Sequence, residues 1–397
     1  MHKPKKTSAL NAPISLSGQI TINAEIDDWS ADQTISLLWL RDSGTKLAIS
    51  HSVEVKGINN FQLDADTTVE IDGDYTVSSP ETTRFGDNAQ YANCFAQVNH
   101  GIIKATGKIA TGVANIRFGP SSASADGVLV ANQFNVNGRF VLNSYGASNG
   151  GTLVVGAGGM TSSTGDFYIQ ANSPSLTSTI RPSADFAVNA TIGSANGSTK
   201  SYGVVIFNTT DYYDANVGRT ITVNKAVNDA YVRAWGKGTL LFNVAGGPNL
   251  WLIANDTCTV AANPGCQPGN GAVTLNGAST LKVAKSGTVT LGGTLTLYAA
   301  DTSLAFNFTE RSTAPKLVIP TLAFNTGVST VNVKISAEDG VRPKHGTYIL
   351  ASSSSGNFAG KTINTVEAPA WVKSVGADAD GNLVCKVKPA GLIISIL

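Results

Sequence analysis

The segment NTTDYYD, residues 208–214, sets two carboxylates, Asp211 and Asp214, around the adjacent tyrosines Tyr212 and Tyr213. Paired carboxylates flanking one bond are the equipment of glycoside hydrolysis. Glu70, Asp72 and Asp74 alternate along a run that reads as a strand, with Asp64 and Asp66 close by. Alternate residues of a strand share a face, and a row of carboxylates offers the hard oxygen ligands that calcium takes. Asp378, Asp380 and Asn382 around Gly381 have the spacing that opens a calcium loop, but LVCKVK follows where such a loop needs its closing Glu. The four histidines, at 2, 51, 100 and 345, form no H-x-x-x-H or H-E-x-x-H pair, and no G-x-S-x-G elbow supports a serine nucleophile.

A structural explanation stands beside each candidate and is the stronger one. Asp211 and Asp214 read as a solvated turn with aromatic packing, the two tyrosines leaving room for a carbohydrate contact. The row at 70–74 reads as an exposed acidic face, and Asp378–Asn382 as a hairpin turn. The expectation is therefore no catalytic residue, no metal site and no cofactor. Cys258 and Cys266 bracket the loop TVAANPG, which leaves a local disulfide and two unpaired thiols equally open, while Cys94 and Cys385 stand alone. No histidine lies near them and no C-x-x-C occurs, so a zinc site is not expected. The five tryptophans, at 29, 39, 235, 251 and 371, could stack sugars; Trp235, beside Gly236, reads as a core or corner residue. The sequons at Asn208 and Asn307 read as asparagine-rich turns.

The elements that would carry these residues are strands. Apolar residues alternate in short runs such as Val53–Val55, Val69–Ile71, Leu240–Phe242 and Val331–Val333–Ile335. Such period-2 runs, rich in β-branched and aromatic residues, read as half-buried strands. Gly, Asn, Asp or Ser breaks each run after a few residues, which is turn chemistry. The run DQTISLLWLR, Asp32–Arg41, also reads as a strand. Residues 271–308 are densest, with VTL at 273–275, LKV at 281–283, VTL at 289–291, LTL at 295–297 and LAF at 304–306. Short strands at this spacing suit a parallel β-helix, whose turns run roughly 20–25 residues and stack about 4.8 Å apart. A sandwich would come in units of about 100 residues with clearer linkers, and no propeller blade period is present.

The fold expected is all-β: a single-stranded parallel β-helix, a pectin-lyase-like solenoid, with a C-terminal antiparallel cap. Residues 1–12 are expected to be a basic tail carrying Lys3, Lys5 and Lys6, residues 13–340 the repeats, and residues 341–397 the cap. Asp380–Gly381, between two apolar runs, marks a hairpin. The final GLIISIL is expected to be an edge strand or the start of something further.

Charge narrows the function classes. The 28 basic and 27 acidic residues leave a net charge of +1, which gives no general grip on nucleic acid. Only 14% of residues are charged while 42% are hydrophobic, so Ser, Thr, Asn and Gly must solvate the surface. No stretch reaches the roughly 18 apolar residues of a membrane helix. The lysines at the start are not followed by the apolar core of a signal peptide. The abrupt first strand, ISLSGQITI, leads to the expectation of a piece of a longer exported protein.

GKGTLLFN (236–243), VTLNGASTLKV (273–283), GGTLTLYA (292–299) and the looser GGTLVVGAGG (150–159) resemble the autotransporter-associated β-strand repeat of large secreted bacterial proteins. GVRPKHGTYIL (340–350), GNFAGK (356–361) and WVKSVGADADGNLVCKVKP (371–389) are similar to the closing segment of such proteins. The resemblance covers mainly residues 230–397. It implies a passenger-type β-helix, secreted or displayed at the cell surface, without the membrane barrel that ends a full autotransporter. The segment at 208–214 is also similar to the N-T-D opening of the polygalacturonase signature, but no D-D pair or G-H-G follows. The function expected is a non-catalytic structural or adhesive segment, with cell-surface glycans or a host surface as partner. A carbohydrate-active β-helix enzyme and a non-catalytic glycan-binding module are the alternatives.

Overall fold

The computed structural model describes residues 14–22, 38–55, 61–64, 66–77, 94–98, 101–111, 115–118, 127–136, 139–143, 151–162, 166–169, 177–193 and 204–390, save 229, 246, 247 and 249. The basic tail, His2, His100, Trp29 and GLIISIL lie outside them, as does the run Asp32–Arg41 except for its end. Every described element is a strand, 35 in all, and nearly all pairing is parallel. The fold is the expected all-β parallel solenoid. The chain divides into two compact units, residues 1–206 and 207–397.

In the first unit each coil contributes strands to three parallel sheets. One sheet stacks Gln19–Ile22, Lys46–Ile49, Thr68–Ile71 and then the starts of the strands Ile102–Thr111, Val128–Val136 and Thr152–Ser162. Because the pleat alternates, one residue type falls inward at the same place in every coil. Leu47, Val69, Ile103, Leu129 and Leu153 occupy one such column, each opposite the next and each buried. Val53, Tyr75, Ile109, Phe134, Met160 and Val188 form a second column, also buried throughout. The third side consists of Ile14–Leu16, Leu38–Leu40 and Phe61–Leu63, followed by Cys94–Val98, Asn115–Phe118, Arg139–Asn143, Asp166–Ile169 and Ile192–Gly193.

The second unit repeats the principle. Thr220–Val223, Thr239–Phe242, Thr259–Ala262, Thr280–Val283, Ser303–Phe308, Thr330–Ala337 and Thr362–Glu367 pair in parallel, each with the next. Their inward columns are Ile221, Leu240, Val260, Leu281, Leu304, Val333 and Val223, Phe242, Ala262, Val283, Phe306, Ile335, all buried. Large and small residues follow one another along a column, as Phe242 meets Ala262, which fills the space without strain. A second stack runs Tyr231–Trp235, Trp251–Ala254, Ala272–Leu275, Thr294–Leu297 and the end of Pro315–Phe324. The triplets at 273–275, 281–283, 295–297 and 304–306 all lie in strands of these two stacks, and that at 289–291 overlaps Gly287–Thr290, which pairs with the start of Pro315–Phe324.

Polar side chains repeat the pairing outside the core. Asn243 donates its Nδ2 to Asn224 Oδ1 at 3.1 Å across 19 residues, and Asn263 donates to Asn243 Oδ1 at 3.1 Å across 20. Asn276 donates to Asn255 Oδ1 at 3.2 Å across 21 residues. Further on the separation grows: Ser336 donates to Asn307 across 29 residues and Asn364 to Asn332 across 32. At Asn224, Asn243, Asn263, Asn255 and Asn276 the bond extends the pairing just past the strand ends, whereas Asn307, Asn332 and Asn364 add it within paired strands.

Parallel pairing continues through Thr362–Glu367, inside the region 341–397. Antiparallel pairing then joins Gly346–Ser355 to Leu383–Val387, and Leu383–Val387 to Val372–Ala377. The turn between the last two strands is the hairpin expected at Asp380–Gly381. Gly381 takes φ +77°, and a Cβ there would lie 2.6 Å from the Asn357 side chain. Only glycine meets both demands cheaply.

If the inward columns dominate stability, Phe242→Ala costs about 3–5 kcal/mol. Asn243→Ala, which removes two exposed amide bonds, costs about 1 kcal/mol or less. Urea midpoints of the two variants check the order; an equal loss, or a larger one from Asn243→Ala, contradicts it.

Candidate functional site

The loop from Thr209 to Arg219 closes on itself. Arg219 N donates to Thr209 O at 2.8 Å and Asp211 N to Val217 O at 2.9 Å, around an antiparallel bridge between Thr210 and Gly218. Asp211 organises its interior. Its Oδ1 accepts the backbone N–H groups of Tyr213 (2.8 Å) and Asp214 (3.0 Å), and its Oδ2 accepts Arg219 Nε at 2.7 Å. The residue is 3% exposed. Burial pushes its carboxyl up, but the Arg219 hydrogen bond, the two backbone donors and the Arg219 charge outweigh burial and hold it below the usual carboxylate range. Asp211 is thus an ionised turn former, the opposite of a general acid. Asp214 accepts Asn216 N at 2.8 Å and caps the next turn. The rings of Tyr212 and Tyr213 meet edge to face at 5.0 Å, and Tyr213 is 64% exposed.

The acidic row of the first unit is interleaved with lysines from neighbouring coils. Glu70 lies 2.7 Å from Lys46 on the preceding coil and 3.8 Å from Lys104 on the following one. Asp72 accepts Thr106 Oγ1 at 3.1 Å. Asp74 accepts Lys108 N at 2.9 Å and pairs with Lys108 Nζ at 3.4 Å. A shallow groove runs over Ala48, Ser50, Glu70, Asp72, Lys104 and Thr106. The strand ends at Ile71, so the expected alternation along one strand does not reach the second and third carboxylates: Glu70 stands on the sheet, Asp72 and Asp74 lie in the corner before Tyr75–Val77, and lysines pair with Glu70 and Asp74. Asp66 sits apart, at a positive-φ turn facing Ser43, and Asp64 uses its carbonyl to accept Thr67. Among the described residues no three of His, Cys, Asp or Glu converge where a metal ion could sit.

Asp378 folds the terminal hairpin. Its Oδ1 accepts the N–H groups of Asp380 (3.0 Å) and Asn382 (2.8 Å), and its Oδ2 accepts Asn382 Nδ2 at 3.1 Å. Hydrogen bonds from Asn382 hold its carboxyl below the ordinary range. His51 and His345 lie in different units. Asn208 accepts the N–H of Thr210, and Asn307 donates to Ala284 O while accepting Ser336 Oγ, so both sequon amides serve the backbone or the ladder. Of the two open readings of the cysteines, the structure holds the free one: Cys258 and Cys266 are unpaired thiols, as is Cys385. Cys258 is buried beneath Thr209, whose Oγ1 donates to it at 3.7 Å. Burial pushes the Cys258 and Cys385 thiols up to about 11, and that of half-buried Cys266 up as well.

Trp235, expected at a core or corner position, ends its strand at a corner, within an outward-facing group. On the strand Tyr231–Trp235 the buried residues are Val232 and Ala234, so Tyr231, Arg233 and Trp235 face outward. One coil on, Trp251 lies opposite Tyr231, and the two rings stack at 4.5 Å with a 32° tilt. The Arg233 guanidinium lies 6.0 Å from the Trp235 ring centroid and 5.9 Å from that of Trp251. Trp235 still ends at a corner, because Gly236 follows with φ +99° and a Cβ there would lie 2.5 Å from Thr210 Oγ1. Trp371 packs edge to face on Phe308 at 5.4 Å. The signal for this outward group was present in YVRAW and WLIA, whose aromatic residues alternate with the buried ones.

Two outcomes are expected. Asp211→Asn lowers stability at neutral pH by about 1–3 kcal/mol, the cost of weakened bonds to buried donors and a cation. Because the folded pKa is depressed, the contribution of Asp211 is full above the unfolded value of 3.8 and is lost as pH falls through the folded one. The melting temperatures of the variant and the parent should therefore converge in acid; a constant gap between pH 7 and pH 2 contradicts this. Iodoacetamide at pH 8 should label Cys266 before Cys258 or Cys385, since a thiol at about 11 leaves roughly one thiolate in a thousand; peptide mass spectrometry reads the order, and a Cys258–Cys266 disulfide would show as protection of both. No protein-family model matches this chain, and no curated protein matches it.

Proposed function

We propose that this chain is a non-catalytic structural or adhesive segment of an exported bacterial protein, of the kind the passenger-type β-strand repeats resemble. The observation that carries the reading is the use made of its polar groups. The candidate acids are engaged within the fold: Asp211 holds a loop with Arg219, Glu70 and Asp74 pair with lysines of adjacent coils, and Asp378 folds a hairpin. A general acid needs a raised pKa and a base needs access to substrate; Asp211 has a lowered one and is buried.

Such a segment works through a durable body and a displayed face. Display at a cell surface, secretion and attachment to surface glycans or a host surface are parts of this proposal. It is supported by the parallel coils, by their hydrogen-bonded columns, and by the resemblance of residues 230–397 to passenger repeats.

Native protein is expected to resist trypsin about 100-fold longer than urea-unfolded protein, because cleavage must wait for coils to open. Incubated with pectins, alginate, xylan and cellulose, it should release neither reducing ends nor unsaturated products. Chain-dependent release of either product, abolished by Asp211→Asn or by Glu70→Gln, would overturn the non-catalytic reading in favour of a carbohydrate-active enzyme.

A further inference from the structure

We infer that the outward face of the strands Tyr231–Trp235 and Trp251–Ala254 binds an acidic polysaccharide, with sugar rings against Trp251 and Tyr231 and a uronate carboxylate on Arg233. This names a site and a ligand class for the adhesive reading above and rests on it.

The face departs from its surroundings in composition. Outward positions on the following strands of the same stack are small or hydroxylic: Ala272 and Thr274, then Thr294 and Thr296. Tyr231, Trp251 and Trp235 occupy outward positions of this sheet and are each partly exposed. Trp251 is stacked on Tyr231 on one side and has exposed Ala272 on the other, so its ring borders the small and hydroxylic outward residues of the next strands. Flat aromatic groups with a polar edge suit ligands that are apolar on one face and wet on the other, as a sugar ring is.

Charge selects among such ligands. Arg233 lies over two indole rings and, among the described residues, has no carboxylate within ion-pair distance. Lys237, exposed just past the corner, adds a second cation. Of the nearby acids, Asp211 is bonded to Arg219, and exposed Asp256 faces Gly236 N at 3.4 Å. Arg233 and Lys237 give the face positive charge and hydrogen-bond donors, so a partner that supplies oxygen acceptors and negative charge complements it. A guanidinium fork takes a carboxylate through two parallel hydrogen bonds. A neutral glycan leaves Arg233 unpaired, and a second copy of this face would set Arg233 and Lys237 against their own kind.

The test uses the full chain with polygalacturonate, alginate and neutral dextran, read by titration calorimetry and affinity electrophoresis. Binding to an acidic polymer is expected, weakening with salt. Trp251→Ala should abolish it and Arg233→Gln should weaken it by about tenfold or more. Arg233→Lys should recover only part, because it keeps the charge and loses the fork. Tyr298→Ala, an exposed aromatic elsewhere, should change nothing; circular dichroism and melting temperature confirm that each variant is folded. Equal binding to dextran, binding untouched by Trp251→Ala and Arg233→Gln, or no binding to either acidic polymer overturns the inference. So does self-association that Trp251→Ala abolishes. Adhesion of the parent chain to whole cells that survives both substitutions removes this site and leaves the adhesive reading standing. Loss of all adhesion in the parent chain, with polymer binding intact, removes that reading instead.

Discussion

Every strand in these stacks finds its backbone partner one coil away, and the rest of the molecule follows from that. A strand in a sheet interior must pair both edges or leave buried donors and acceptors unmet. In a parallel coil the partner is the chain's own earlier or later turn, so each coil has to arrive in register with the last. Thr239–Phe242 meets Thr259–Ala262 residue for residue, and that meets Thr280–Val283 in the same way. Once register is held, the pleat places residues of one kind above one another, and columns such as Leu240, Val260, Leu281 are a geometric result.

Magnitudes separate what the columns do from what the ladders do. A buried leucine or phenylalanine contributes about 1.5–3 kcal/mol by leaving water, whereas a solvent-side amide hydrogen bond nets about 1 kcal/mol. The columns thus supply most of the stability. The asparagine and lysine–carboxylate ladders are directional, so they oppose slippage: sliding a strand by one residue would turn every inward side chain outward and separate Asn243 from both amide partners. The same demand for coil-to-coil partners explains the pairing of Glu70 and Asp74. Glu70 and Asp74 sit where lysines of adjacent coils can reach them.

Much of this was legible in the residues. VTL, LKV and LTL between 273 and 297 carry the period of a strand and the interruptions of a corner, and Asp380–Gly381 names its own turn. What the residues alone could not reveal is which outward side chains meet. That depends on the length of each corner: Tyr231 reaches Trp251 because the intervening corners bring them opposite, and no local pattern reports that sum. Trp235 was legible as a corner residue but not in its direction. Its neighbour Gly236 does mark a corner, yet the side chain's direction is decided by the pleat, with Ala234 inward. Asp211 read as part of a solvated turn; it is a turn former but a buried one, because Arg219, the group that defines its chemistry, lies across a loop.

The growth of the second unit's coils separates the parts of the chain that may change length from those that may not. Ladder partners lie 19 residues apart at Asn224 and Asn243 and 32 apart at Asn332 and Asn364, yet Leu281, Leu304 and Val333 remain stacked throughout. Lengthening a closed loop by that ratio costs only about 0.5 kcal/mol in chain entropy, whereas one residue added within a strand would invert a column. Insertions therefore cost little at corners and much within strands. Lineages of such a chain can enlarge, reshape or exchange their corners, and with them the surface they present, while inheriting the same interior unchanged.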